Sequence, residues 1–89
     1  MVNVSVVIPI YKPDMEILEK VRKSLKEQIV KPEIIEMWNN PEAVSINKGV
    51  KKAKGKIVVT HAQDYIPENK YWLEKLIKPL ENEGVIAGN

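Results

Sequence analysis

The stretch Val4-Ser5-Val6-Val7-Ile8 is β-branched and apolar at nearly every position. A strand with one wet face alternates apolar and polar residues, whereas a strand covered on both faces does not. The run therefore predicts a strand buried on both sides, and such strands belong to parallel sheets flanked by helices. A second run of this kind is Lys56-Ile57-Val58-Val59-Thr60, and a shorter one is Ile34-Ile35-Glu36-Met37-Trp38. Parallel neighbours need long crossover connections, usually helices. The segments between the runs have that length.

Their periodicity is helical as well. Pro9 and Pro13 are expected to end the first strand, and Asp14 suits an N-cap or a first-turn acid. Ile17, Leu18, Val21, Leu25, Gln28 and Ile29 then fall at helical spacing. Glu16–Lys20 and Glu19–Lys23 are i,i+4 pairs in the favourable order, and Pro32 stops the helix. A second helix is predicted from about Glu42 to Ala53, with Val44, Ile46, Val50 and Ala53 as its apolar positions. Gly49 inside it costs about 1 kcal/mol relative to Ala, a cost that often admits another backbone. Gly55 suits the position after a helix end. Pro67 should open a third helix over about Glu68 to Glu83, carrying Trp72, Leu73, Leu76, Ile77 and Leu80, with Pro79 kinking it and Gly84 stopping it. Val85-Ile86-Ala87 would begin a fourth strand. Right-handed crossovers then give a small open, doubly wound, mainly parallel α/β sheet, βαβαβαβ, with order 2-1-3 and the last strand beside strand 3.

Composition narrows the function classes. The 89 residues form one domain, 1–89, and 44% hydrophobic with 29% charged residues is ordinary for a soluble globular protein. The absence of cysteine excludes a disulfide framework, a thiolate metal site and a cysteine nucleophile. It fits a reducing compartment, and a cytoplasmic location is expected. The first apolar run is too short to cross a bilayer, and no basic segment precedes it. The net charge of +2 is far from that of a dedicated nucleic-acid binder. The cluster Lys48, Lys51, Lys52, Lys54 and Lys56 falls on a predicted helix and its exit, where a solvated face accounts for it.

In open parallel sheets, ligands bind beyond the carboxyl ends of the strands at the switch point. That rule selects three loops: Pro9-Ile10-Tyr11, Trp38-Asn39-Asn40 and His61-Ala62-Gln63-Asp64. The same loops carry a family resemblance. Val4-Ser5-Val6-Val7-Ile8-Pro9-Ile10-Tyr11 resembles the first strand and following loop of family 2 glycosyltransferases of GT-A fold. Ser24-Leu25 with Gln28, Asn47-Lys48-Gly49-Val50 with Ala53-Lys54-Gly55, and Asp64-Tyr65-Ile66-Pro67 followed by Trp72-Leu73 match further segments in the family's order. The resemblance covers nearly the whole chain and implies the Rossmann-like, nucleotide-binding half of such an enzyme. Two departures stand out. The family's usual Asp-x-Asp at positions 62 to 64 is Ala62-Gln63-Asp64 here, a Gln-Asp variant that, with a nearby His, resembles rhamnosyltransferase-like subgroups. The acceptor half and its catalytic base have no counterpart in the chain, so catalytic residues remain unassigned.

The resemblance implies a nucleotide-diphospho-sugar as ligand and Mg²⁺ or Mn²⁺ as cofactor, with Asp64 as metal ligand. One carboxylate suffices when diphosphate oxygens and waters complete the shell. The nucleotide contacts it implies are Pro9, Ile10, Tyr11, Asn39, Asn40, Asn47, Lys48 and Gln63. An amide such as Asn39 or Asn40 can pair with a pyrimidine edge, Tyr11 can stack on a base, and Lys12 or Lys48 can meet phosphate. His61 can contact metal or phosphate. Each has a structural rival. Asp64 can cap the third helix, Asn39-Asn40-Pro41 can be only a turn, Asn47 can bond a neighbouring loop, and Tyr11 and Trp38 can pack at the sheet's end. The expected function is glycosyl transfer, with a partner chain supplying the acceptor side. The alternative is a truncated, non-catalytic binding or oligomerisation module. A phosphoacceptor receiver domain shares the sheet class but needs paired acids after strand 1, and Pro9-Ile10-Tyr11 offers none. A short fourth strand would leave the sheet edge open to self-pairing in a homodimer.

Overall fold

The computed structural model describes residues 3–80 and 86–88. Four parallel strands form one sheet in the order β2-β1-β3-β4. They are β1 (Val4–Ile10), β2 (Glu33–Trp38), β3 (Ile57–Thr60) and β4 (Ile86–Gly88). The helices are α1 (Met15–Lys26), α2 (Glu42–Lys52) and α3 (Trp72–Ile77), with a 3₁₀ turn over Lys78–Leu80. This is the expected open α/β sheet, including a fourth strand beside β3. The expected stop at Gly84 and strand start at Val85 lie outside the described residues.

Strand β1 is the centre. Val6 aligns with Ile34 of β2 on one edge and with Val59 of β3 on the other. Successive side chains of a strand point to opposite faces. Val4, Val6, Ile8 and Ile10 join Leu18, Val21 and Leu25 of α1, Leu73 and Ile77 of α3, and Ile57 and Val59 in one buried cluster. Val7, on the opposite face, packs with Met37 and Val58 against Ile35, Val50 and Ala53. Helices α1 and α3 thus cover one face and α2 the other. Fully burying each such aliphatic side chain is worth about 1.5–3 kcal/mol.

Pro9 does not end β1, which continues to Ile10. The His61 amide donates to the Val7 carbonyl and the Asn39 amide to the Ile10 carbonyl. Hydrogen-bonding direction alternates along a strand, so Pro9 points its missing N–H toward β3, just where β3 has stopped. Helix α1 starts as expected, with Asp14 Oδ1 accepting from the Glu16 and Ile17 amides at 3.0 and 3.3 Å. It ends earlier than expected, at Lys26. Gln28 lies beyond it, fully buried, and its carboxamide donates to the carbonyls of Ser24 and Asn69 and accepts from the Leu73 amide. Ile29 is consequently exposed.

Helix α3 begins at Trp72, not near Glu68. Pro67 is buried and its carbonyl accepts from Ser24 Oγ, so residues 61–71 form a loop tied to α1. Helix α2 packs through two small residues, Ser45 and Gly49. A Cβ on Gly49 would sit 2.3 Å from Val7 Cγ1. The glycine therefore admits a side chain of the sheet and not another backbone. Gly55 serves close approach instead of a helix end. A Cβ there would lie 2.7 Å from the Ser5 nitrogen and the Val4 carbonyl carbon.

A polar node closes the amino end of the sheet. Buried Ser5 donates its hydroxyl to Glu33 at 2.7 Å and accepts from the Gly55 amide at 2.9 Å. Glu33 also accepts from the Lys54 amide, and these hydrogen bonds hold its carboxyl below the usual range. On β2, the Arg22 guanidinium forks onto both oxygens of Glu36, at 2.7 and 2.8 Å, and lowers its carboxyl in the same sense.

Substituting Gly49→Ala should destabilise the fold by about 1–3 kcal/mol through overpacking. Val7→Ala in the same chain should recover part of the loss, since the obstacle is a side chain. Gly55→Ala should have no such rescue, because its obstacle is backbone. Urea denaturation of the single and double variants measures all three. Glu33 and Glu36 have depressed folded pKa values, so their contribution is complete above about pH 4.5 and is lost as the pH falls through the folded values. Glu36→Gln should flatten the fall of the urea midpoint below that pH.

Candidate functional site

A cleft of about 340 Å³ opens at the carboxyl ends of β1 and β3, where the strand order reverses. This is the position at which open parallel sheets bind ligands, and the volume lies at the lower end of the range for small-molecule sites. Three elements build it: the end of β1 with Pro9, Ile10 and Tyr11, the start of α2 with Asn40, Glu42 and Ile46, and the exit of β3 with Thr60, His61, Ala62, Gln63 and Asp64.

The loop after β1 turns through Lys12, whose φ of 44° is left-handed, and Lys12 Nζ stands 5.3 Å from the centre of the Tyr11 ring. Tyr11 is 58% exposed and Trp38 is also exposed, so neither packs into the sheet's end. The backbone of Tyr11 is engaged on both sides. Its amide donates to Gln63 Oε1 at 2.8 Å, and its carbonyl accepts from Gln63 Nε2 at 3.1 Å. Gln63 lines the cleft but already uses its carboxamide on Tyr11.

The turn after β2 passes through Asn39 with φ 59°, a left-handed conformation that Asn tolerates better than most residues. Asn40 Nδ2 donates to the Trp38 carbonyl at 3.0 Å. Asn40 reaches the cleft, whereas Asn39 is exposed and is not among its lining residues. Asn47 and Lys48 are exposed on α2 and do not line the cleft. Helical geometry explains the difference. Residues four apart share a face, so Glu42 and Ile46 turn to the cleft and Ser45 and Gly49 to the sheet, leaving 47 and 48 outward. Sequence reasoning missed Glu42 and Ile46. The signal available was that i,i+4 pair on a helix beginning directly after a rim loop.

His61 is buried, only 1% exposed. Its Nε2 lies 2.7 Å from the Tyr65 carbonyl, which can only accept, so Nε2 carries the proton. Its ring meets Tyr65 and Trp72 edge-on, at centroid distances of 5.5 and 5.2 Å. The imidazole is thus a hub of the 61–72 segment beside the cleft. Burial holds its pKa below the usual 6.5, outweighing the Tyr65 carbonyl and the Asp64 charge, which pull upward.

Asp64 is exposed at the rim. It does not cap α3, whose N-cap is Tyr71 with no side-chain bond. Asp64 and Glu42 line one cleft, and neither makes an ion pair or hydrogen bond through its side chain among the described residues. No group of three or more His, Cys, Asp or Glu placed to hold a metal ion occurs among the described residues. No helix there is long and apolar enough to cross a membrane.

A buried His with a lowered pKa stays neutral in the fold while the unfolded chain takes up a proton below about pH 6.5. Stability is therefore complete above that pH and declines as the pH falls through the folded value. His61→Gln should shrink the change in urea midpoint between pH 7 and 5. In wild type, the imidazole resonances should titrate with a midpoint below 6.5, and a midpoint at or above it would contradict the burial argument.

Residues 34–89 match the family model described as Glycosyl transferase family 2. Neither the curated proteins nor the solved structures yielded a match to the chain.

Proposed function

Because this chain belongs to glycosyl transferase family 2, we propose that its cleft binds the nucleoside-diphosphate part of a sugar donor together with a divalent cation. The observation that carries the reading is the convergence of three chain segments on one cleft at the switch point of the sheet. Tyr11, exposed at the mouth, supplies a ring for a base to stack on. Asn40 supplies an amide, able both to donate and to accept, for a base or ribose edge. Lys12, beside Tyr11, supplies a positive point charge for phosphate.

The donor set suits a shared cation site and not a closed protein cage. Asp64 and Glu42 are hard oxygen ligands, and neither is held in an ion pair among the described residues. Mg²⁺ and cations like it are commonly held by one or two carboxylates plus phosphate oxygens and water. Asp64, with Glu42 across the cleft, would hold the cation. When bound, the cation supplies stabilisation of the charge that grows on a departing diphosphate. Gln63 and His61 keep the loops in place around it, through Tyr11 and through the Tyr65 carbonyl. Transfer also requires a base at the acceptor hydroxyl. In this reading that group is supplied from outside the cleft, a partner chain included.

Thermal unfolding with UDP, dTDP and GDP, each with and without Mn²⁺, tests the proposal. A ligand at about 100 times its Kd adds about 2.7 kcal/mol. In a domain of this size that raises Tm by roughly 11–22 °C. The rise should need Mn²⁺ and should vanish in Asp64→Ala. No rise with any of the three diphosphates would overturn the reading.

A further inference from the structure

We infer that Gln63 is a positioning residue: its carboxamide latches the loop after β1 to the loop after β3 and so fixes Tyr11 at the mouth of the cleft. The two loops are distant in sequence and are joined here by a pair of opposed hydrogen bonds. Oε1 accepts from the Tyr11 amide at 2.8 Å while Nε2 donates to the Tyr11 carbonyl at 3.1 Å. The carboxamide thus satisfies both backbone groups of one residue, as a neighbouring strand would. It does so where β3 has ended and β1 has lost its partner on that edge. Among the described residues, the Tyr11 amide and carbonyl have no other hydrogen-bond partner.

The chemistry demands glutamine. The latch needs a donor and an acceptor on one planar group, and an ionised carboxylate only accepts. Asn is a methylene shorter. Two further observations show that the latch sets geometry at the rim. The next residue, Lys12, turns left-handed at φ 44° and places its ammonium 5.3 Å from the Tyr11 ring centre. Tyr11, Gln63 and Asp64 line the same cleft. Fixing the Tyr11 backbone therefore sets the point from which its ring, and the Lys12 side chain after it, reach out relative to Asp64. Ordering the loop before a ligand arrives removes a cost that binding would otherwise carry. The positioning role rests on the nucleotide reading above, whereas the latch itself does not.

The experiment is amide hydrogen exchange and NMR titration on the whole 89-residue chain, comparing wild type with Gln63→Ala and Gln63→Glu. Protection factors for the Tyr11 amide should fall by about two- to tenfold in Gln63→Ala, the scale of one lost hydrogen bond. Protection of Val6 and Val59 in the strand core should stay unchanged, which shows that the variant folds. Gln63→Glu should also lose the latch at pH 7, where an ionised carboxylate can accept from the Tyr11 amide but cannot donate to its carbonyl. UDP, dTDP and GDP with Mn²⁺ should bind Gln63→Ala several-fold more weakly wherever they bind wild type. Unchanged Tyr11 protection in Gln63→Ala would overturn the latch. Lost protection with unchanged affinity would overturn the positioning role. Wild type that binds none of the diphosphates would overturn the nucleotide reading, and Tyr11 protection would still decide the latch.

Discussion

Strand β1 has a parallel neighbour on each edge and helices on each face, and every residue of it but Pro9 is buried. A strand in that position must be apolar on both sides, which leaves few sequences able to fill it. It also fixes the rest of the topology. The chain leaves β1 toward β2, returns past it to β3, and the reversal opens a gap between the ends of β1 and β3. The cleft is a consequence of that reversal. Its floor is made by residues whose backbone is already paired, so only side chains and short loops are left to vary around it.

The two ends of the sheet are held by different means. At the amino end, a buried hydroxyl and a carboxylate gather the Lys54 and Gly55 amides, and close backbone contact excludes any side chain at position 55. At the carboxyl end, the strands hand over to backbone bonds from Asn39 to Ile10 and from His61 to Val7, and then to the Gln63 carboxamide. The first arrangement is built on a buried Ser5, with Glu33 only partly covered, and joins the crossover from α2 into β3. The second is at the surface, where hydrogen bonds compete with water and each contributes only about 0.5–1.5 kcal/mol net.

The sheet was legible because its signal is compositional. Val4 to Ile8 and Ile57 to Thr60 are short, β-branched and apolar on both faces at nearly every position, which is how a covered strand reads. The converging loops followed from topology, and so did Asp64 at the rim. Periodicity failed where a long-range hydrogen bond took over. Gln28 fits the apolar spacing of α1, yet it lies past the helix end because its carboxamide reaches Asn69 and Leu73. Pro67 resembles a helix start, yet its carbonyl is claimed by Ser24. Asn47 and Lys48 sit in a segment that matches the family's pattern, but the helical phase set by Gly49 against Val7 turns them outward. The same phase brings in Glu42, whose only mark in the sequence is its i,i+4 spacing to Ile46 on a helix that follows a rim loop.

The segment 61–71 shows how a loop without regular structure can still present a carboxylate accurately. Its start is fixed by the His61 amide on β1, and its middle by the imidazole on the Tyr65 carbonyl. The Pro67 and Asn69 carbonyls are fixed by Ser24 and Gln28 of the α1 region, and the Lys70 carbonyl by the Ile29 amide. Regular structure would satisfy the same groups locally, but it would also carry Asp64 into a helix's first turn, where the dipole and the free amides would engage it. Long-range anchors satisfy the backbone and leave the carboxylate uncommitted. With α3 starting at Trp72 and capped at Tyr71, Asp64 stays in the anchored loop, at the cleft and apart from the helix's free amides.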